Sequence, residues 1–141
     1  MKKLFISCPV AGRKMEDIRT TINKMHMIAE VVFDQELEVI NLSDCIYDLD
    51  GHIANDTSVK TMAKRIEKLA DADYFIGLRD WLGDRWMHCN MERGITGDHM
   101  RIPMFLVDGT NVAPDLEEVS REYQRKKHPV CDDNACTPYC E

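Results

Sequence analysis

Apolar residues follow two rhythms along the chain, short unbroken runs and stripes spaced by three and four. Lys3-Leu4-Phe5-Ile6-Ser7 is a run of the first kind, ended by Cys8-Pro9 and a loop containing Gly12, and it predicts a strand. From Met15 the apolar residues recur as Ile18, Ile22, Met25, Ala29 and Val32, which places them on one face of a helix. Glu36–Ile40 predicts a second strand. Asn41 to Asn55, with Ser43, Asp44, Asp48, Asp50 and Gly51, reads as an irregular loop, and a loop of this length in a compact domain often borders a site.

Thr57 or Ser58 can cap the next helix, whose stripe is Val59, Met62, Ala63, Ile66, Leu69 and Ala70. Tyr74-Phe75-Ile76-Gly77-Leu78 predicts a third strand, with the missing polar alternation expected when helices cover both faces. A second unusual loop, Arg79–Arg85, leads to a helix capped by Asp84 and running to about Gly97 or His99, with Met87, Met91, Gly94 and Ile95 as its buried stripe. Ile102–Val107 is a fourth strand, with Pro103 near its start, where a missing N–H is tolerable. Pro114 opens a last helix with acids in its first turn and Arg125, Lys126 and Lys127 at its end. This alternation predicts an α/β fold, a three-layer doubly wound (Rossmann/flavodoxin-like) parallel sheet of four or five strands. Residues 1–127 form the expected domain, and 128–141 a Cys-rich tail.

Composition fits this picture. The chain has 141 residues, 44% hydrophobic and 30% charged, enough for one cored domain. No apolar run approaches the ~20 residues a membrane span needs. The run after the first lysines is interrupted at Ser7-Cys8-Pro9, so it reads as a strand rather than a signal peptide, and the expectation is a soluble cytoplasmic protein. Eighteen basic against twenty-five acidic residues give a net charge of −7, which disfavours nucleic acid as a partner but leaves room for a small anion held by one or two arginines. The cysteines are expected to be reduced thiols.

In such a sheet, ligands bind beyond the carboxyl ends of the strands, where strand order reverses. Ser7, Cys8, Val10, Gly12 and Arg13 form the first loop at that edge; helix amides, a hydroxyl and an arginine can together hold an anion there. Arg13 is equally readable as a solvated surface residue, and Cys8 as a small buried thiol. On the helix after Asp84, His88, Glu92, Thr96 and His99 lie one turn apart along a face beside the apolar stripe. A carboxylate at Glu92 near the ligand edge can act as nucleophile or base, although an acid on a helix is most often a solvated group. His88 and Glu92, with Cys89 or His99, are a weak metal pattern; His128, Cys131, Cys136 and Cys140 in the tail are a better zinc candidate, but without a common finger spacing a disordered tail is the favoured reading and no metal is called for. No cofactor is called for. Trp81, Trp86 and Tyr47 can stack on a nucleobase or fill the core.

The chain up to about Val107 resembles the nucleoside 2-deoxyribosyltransferase-like superfamily, which includes deoxynucleoside 5′-monophosphate N-glycosidases and small phage and bacterial domains. The likeness rests on Phe5-Ile6-Ser7-Cys8-Pro9-Val10-Ala11-Gly12, on Leu69-Ala70-Asp71-Ala72-Asp73-Tyr74-Phe75, and on Asn90-Met91-Glu92-Arg93-Gly94 before a strand beginning at Pro103. It implies cleavage or transfer at the N-glycosidic bond of a (deoxy)nucleoside or nucleotide, with Glu92 as nucleophile, His88 or a loop acid assisting, and a homodimer or higher homo-oligomer. The sequence departs from that pattern at Arg65, where an aspartate commonly lies, and at Arg85-Trp86-Met87-His88-Cys89, which replaces a short Ser/Gly phosphate loop. The alternative is a non-catalytic protein that binds a nucleotide-like ligand.

Overall fold

The structure is a computed structural model in which residues 1–45, 58–80, 82 and 86–127 are described. Strand β1 (Lys2–Ile6) leads into helix α1 (Met15–Val32), β2 (Leu37–Val39) and a 3₁₀ turn (Ser43–Cys45). Helix α2 (Ser58–Leu69), β3 (Tyr74–Leu78), α3 (Met87–His99), β4 (Met104–Val107), a one-turn α4 (Gly109–Val112) and α5 (Leu116–Lys127) complete the order. The elements predicted from the pattern are present, with ends shifted by one or two residues; α4 was not foreseen, because four residues are too few for a period.

The sheet is parallel throughout, in the order β2-β1-β3-β4. The chain steps from β1 to β2 on one side and then crosses to β3 on the other. The carboxyl ends of β1 and β3 therefore flank the switch point.

Two cores form because side chains alternate across a strand. Leu4, Ile6, Ile76 and Leu78 pack with Ile18, Met25 and Ala29 of α1. Phe5 and Phe75 point the other way, to Leu69 and Ala72 at the end of α2, with Ile95 of α3 packed against them. Phe5 and Phe75 are paired across β1 and β3, and their rings stack 5.9 Å apart. Gly77 makes room for this stack: a Cβ there would lie 2.8 Å from the Phe75 ring. Helices thus cover both faces of the sheet, and β3 is buried almost end to end. Among the described residues, no helix is long and apolar enough to cross a membrane.

Two helices turn a different face inward from the one their apolar spacing suggests. On α2, Arg65 and Leu69 are buried while Ala63 and Ala70 are exposed, so the inward line runs through a charged residue. On α3, Met87 and Met91 are 40% and 42% exposed, and Cys89, Asn90, Glu92 and Thr96 are buried instead. The polar face wins because each group on it finds a partner. Asn90 bonds both the N–H and the carbonyl of Leu82, Glu92 meets Arg65 and Ser7, and Thr96 Oγ1 donates to the Glu92 carbonyl at 2.7 Å. A satisfied buried polar group carries little of the desolvation cost that would otherwise turn the face outward.

Candidate functional site

Beyond the end of β1, Ser7 continues the ladder by donating its N–H to the Ile76 carbonyl at 2.9 Å. Its side chain lies on the same side of the sheet as Phe5, facing α2 and α3. There Ser7 Oγ donates to Glu92 Oε1 at 2.8 Å. Arg65, reaching in from α2, closes the other side: Nε donates to Oε2 at 2.5 Å and Nη2 to Oε1 at 3.1 Å. Its guanidinium also lies over the Phe5 ring, 5.8 Å from the centroid. Glu92 is 0% exposed and Arg65 3%. A carboxylate on a helix, most often solvated, is here a buried, bidentate ion pair at the switch point.

His88, one turn before Glu92 on α3, places Nε2 3.2 Å from the Cys8 carbonyl. A carbonyl only accepts, so Nε2 carries the proton and Nδ1 keeps its lone pair. Burial lowers the His88 pKa most strongly; the Glu92 charge opposes this and the Arg65 charge reinforces it, and the net shift is downward. The imidazole is neutral at pH 7. Burial raises the Cys89 thiol well above its ordinary value, and Glu92 adds to the effect.

Glu92, His88 and Cys89 also offer a carboxylate, an imidazole and a sulfur whose ligand atoms lie within 4.8 Å of one another. Those are the donor types of a zinc site. The positive charge beside this carboxylate is already supplied by Arg65, which a dication would have to displace.

In the first loop the arginine is committed to the protein itself. Gly12 adopts φ 74°, a left-handed conformation that costs a glycine nothing, and the Arg13 N–H closes the turn on the Val10 carbonyl at 3.1 Å. The turn directs Arg13 inward. Its Nε and Nη2 each reach Asp115 at 2.7 Å, Nη2 also meets Thr21 Oγ1 at 2.7 Å, and Nη1 donates to the Pro9 carbonyl at 2.8 Å. All three nitrogens are spent on the protein, so Arg13 is an internal clamp rather than an exposed anion ligand. Val10 is buried in the core beside α1. Cys8 is a buried thiol, pushed up to about 12 by burial against the lowering influence of Arg13 and Arg65. At neutral pH it holds its proton and is no nucleophile.

Trp86 is 3% exposed and packs with Ala11 and Cys89, its indole N–H donating to the Ala11 carbonyl at 3.1 Å. Its ring fills the core instead of facing a ligand. Tyr47, Trp81, the caps at Thr57 and Asp84, and the tail ligands His128, Cys131, Cys136 and Cys140 lie outside the described residues. The structure thus brings Ser7, the Cys8 carbonyl, His88 and Glu92 together, and sends Val10, Arg13 and Trp86 to structural tasks.

In the sequence Arg65 stands out only as a departure from the resembled pattern, and nothing marks Asp115 as the partner of Arg13. Arg65 left a signal, a charge set between Met62, Ile66 and Leu69 on an otherwise apolar face. The chain matches no family model, no curated protein and no solved structure.

Proposed function

We propose that the protein cleaves or transfers at the N-glycosidic bond of a (deoxy)nucleoside or nucleotide, with Glu92 as nucleophile. The observation that carries this reading is a buried carboxylate at the strand switch point, paired with Arg65 and oriented by Ser7. In the first step a Glu92 oxygen bonds to C1′ while the C1′–N bond breaks, its electron pair leaves with the base, and the base takes a proton from solvent. Water, or a second base, then attacks C1′ and frees the carboxylate. His88, with Nε2–H held by the Cys8 carbonyl and Nδ1 bare, is suited to take a proton from that water. Oε2 accepts only the Arg65 Nε–H and keeps a lone pair for attack, but the buried side chain must be uncovered before C1′ can reach it.

That requirement supports a second reading. With both Glu92 oxygens paired and the side chain fully buried, the site can also belong to a protein that binds a nucleotide-like ligand without cutting it. Incubation with a panel of deoxynucleosides and deoxynucleotides, followed by chromatography for free base, separates the two. Base release abolished in Glu92→Gln is the expected result. A ligand that raises the melting temperature while no base appears overturns the enzyme reading, and unchanged release in Glu92→Gln overturns the mechanism.

A further inference from the structure

A cleft of about 390 Å³ opens at the carboxyl ends of β1 and β2, between α1 and the segment after β2, and no acid lines it. Its volume falls at the small end of ligand pockets, roughly 300–1,000 Å³. One wall carries Ile18 and Ile22 of α1, the other Ile40 and Leu42. Two guanidinium groups share this aliphatic lining. Arg65 is buried, and its charge is met by both oxygens of Glu92. Arg19, on α1, is exposed and has no hydrogen-bond or ion-pair partner among the described residues. The cleft therefore carries one cation without a counter-charge, in a chain whose net charge is −7.

We infer that the cleft binds a small carboxylic acid with an apolar body, its carboxylate on Arg19 and its hydrocarbon between the two aliphatic walls. The division of the lining decides this chemistry. Ile18 and Leu42 are buried and their side chains offer no hydrogen bond, so the part of a ligand that lies beside them must be apolar. Arg19 is exposed, so the charged end of the ligand stays where water still reaches it and the cost of burying an ion is avoided. One unpaired fork of N–H donors matches the two oxygens of one carboxylate. A neutral ligand gains nothing from that charge, and a cation is repelled by it. The inference goes beyond the nucleoside reading and does not rest on it: Glu92 enters only by neutralising Arg65.

Calorimetric titration of the full chain with octanoate, 1-octanol and octylammonium, which share one hydrocarbon body, tests this. Octanoate should bind one per chain and about 5- to 10-fold more tightly than octanol, with octylammonium weaker than either. The preference for octanoate over octanol should shrink as salt is raised. Shortening the acid to hexanoate should weaken binding about 10- to 15-fold, because each methylene withdrawn from the walls forfeits roughly 3- to 4-fold. Arg19→Gln, at an exposed helical position, should bring octanoate down to the affinity of octanol and leave octanol unchanged. Octanoate that binds no better than octanol, or that binds Arg19→Gln as tightly as the unaltered protein, overturns the inference. So does the absence of saturable octanoate binding. Base release from deoxynucleosides is read separately, so failure here is distinguishable from failure of the nucleoside function.

Discussion

His88 shows how one residue's surroundings set a property of the whole chain. Burial lowers its pKa below the ordinary 6.5 against the pull of the Glu92 charge, so the folded protein resists protonating it while the unfolded chain does not. Where the unfolded state binds more protons, stability rises with pH. The contribution of His88 is therefore present above about pH 6.5 and is lost as the pH falls from there to the depressed folded value. Asp115 acts lower on the scale: burial pushes its carboxyl up, but the Arg13 bonds and charge outweigh it and leave the pKa below the usual carboxylate range. Its contribution is lost only as the pH drops through that range. Melting temperatures measured from pH 7.5 to 5 should fall for the unaltered protein and fall less steeply for His88→Gln. Parallel curves would show that the imidazole is not held neutral by the fold.

At the scale of the element, α2 and α3 meet through charge where the apolar period suggested grease. Periodicity locates the two helices because it counts apolar residues, and that count was sufficient for β1, α1 and β3. It fails for the orientation of α3 because Met87 and Met91 score as core, while the bonds that draw Asn90, Glu92 and Thr96 inward connect residues far apart in the chain. Ser7 and Glu92 are 85 positions apart, and Arg65 and Glu92 are 27. No local pattern registers such pairs. Glu92 was legible as a candidate through its order relative to the first loop and the third strand; its partner was visible only as an oddity at position 65. The physics of a buried pair yields a sharp expectation. Arg65→Met or Glu92→Leu alone strands one charge without solvent and should cost about 3–5 kcal/mol. The double replacement removes both charges and should recover at least half of the combined loss, leaving the Ser7 hydroxyl as the main residual penalty. Urea midpoints of the three variants measure this. Strictly additive losses would mean that the two side chains are not coupled.

For the whole molecule, the alternation of runs and stripes was enough to predict a parallel sheet covered on both faces. The order of its strands was not legible, since pairing is a long-range choice. One side-chain network then ties the ends of that sheet together. Arg13 in the loop after β1 holds Asp115 just before α5, and Thr21 on α1 receives an Arg13 bond while donating to the Val112 carbonyl at the end of α4. The first and last helical segments are joined across 102 positions by this clamp. Its two charged members differ in what they face when left alone. The Arg13 side chain is fully buried, whereas Asp115 keeps 19% of its side chain exposed. Removing Asp115 leaves a buried guanidinium without its paired carboxylate, with only the charge of Asp17 in reach; removing Arg13 leaves a carboxylate that can still turn to solvent. Asp115→Ala should therefore lose about 3–5 kcal/mol, and Arg13→Met clearly less, although the arginine makes more hydrogen bonds. Counting bonds alone predicts the reverse order. Denaturant unfolding of the two variants decides between the accounts, and a larger loss in Arg13→Met would mean that the clamp works through its hydrogen bonds and not through the buried charge.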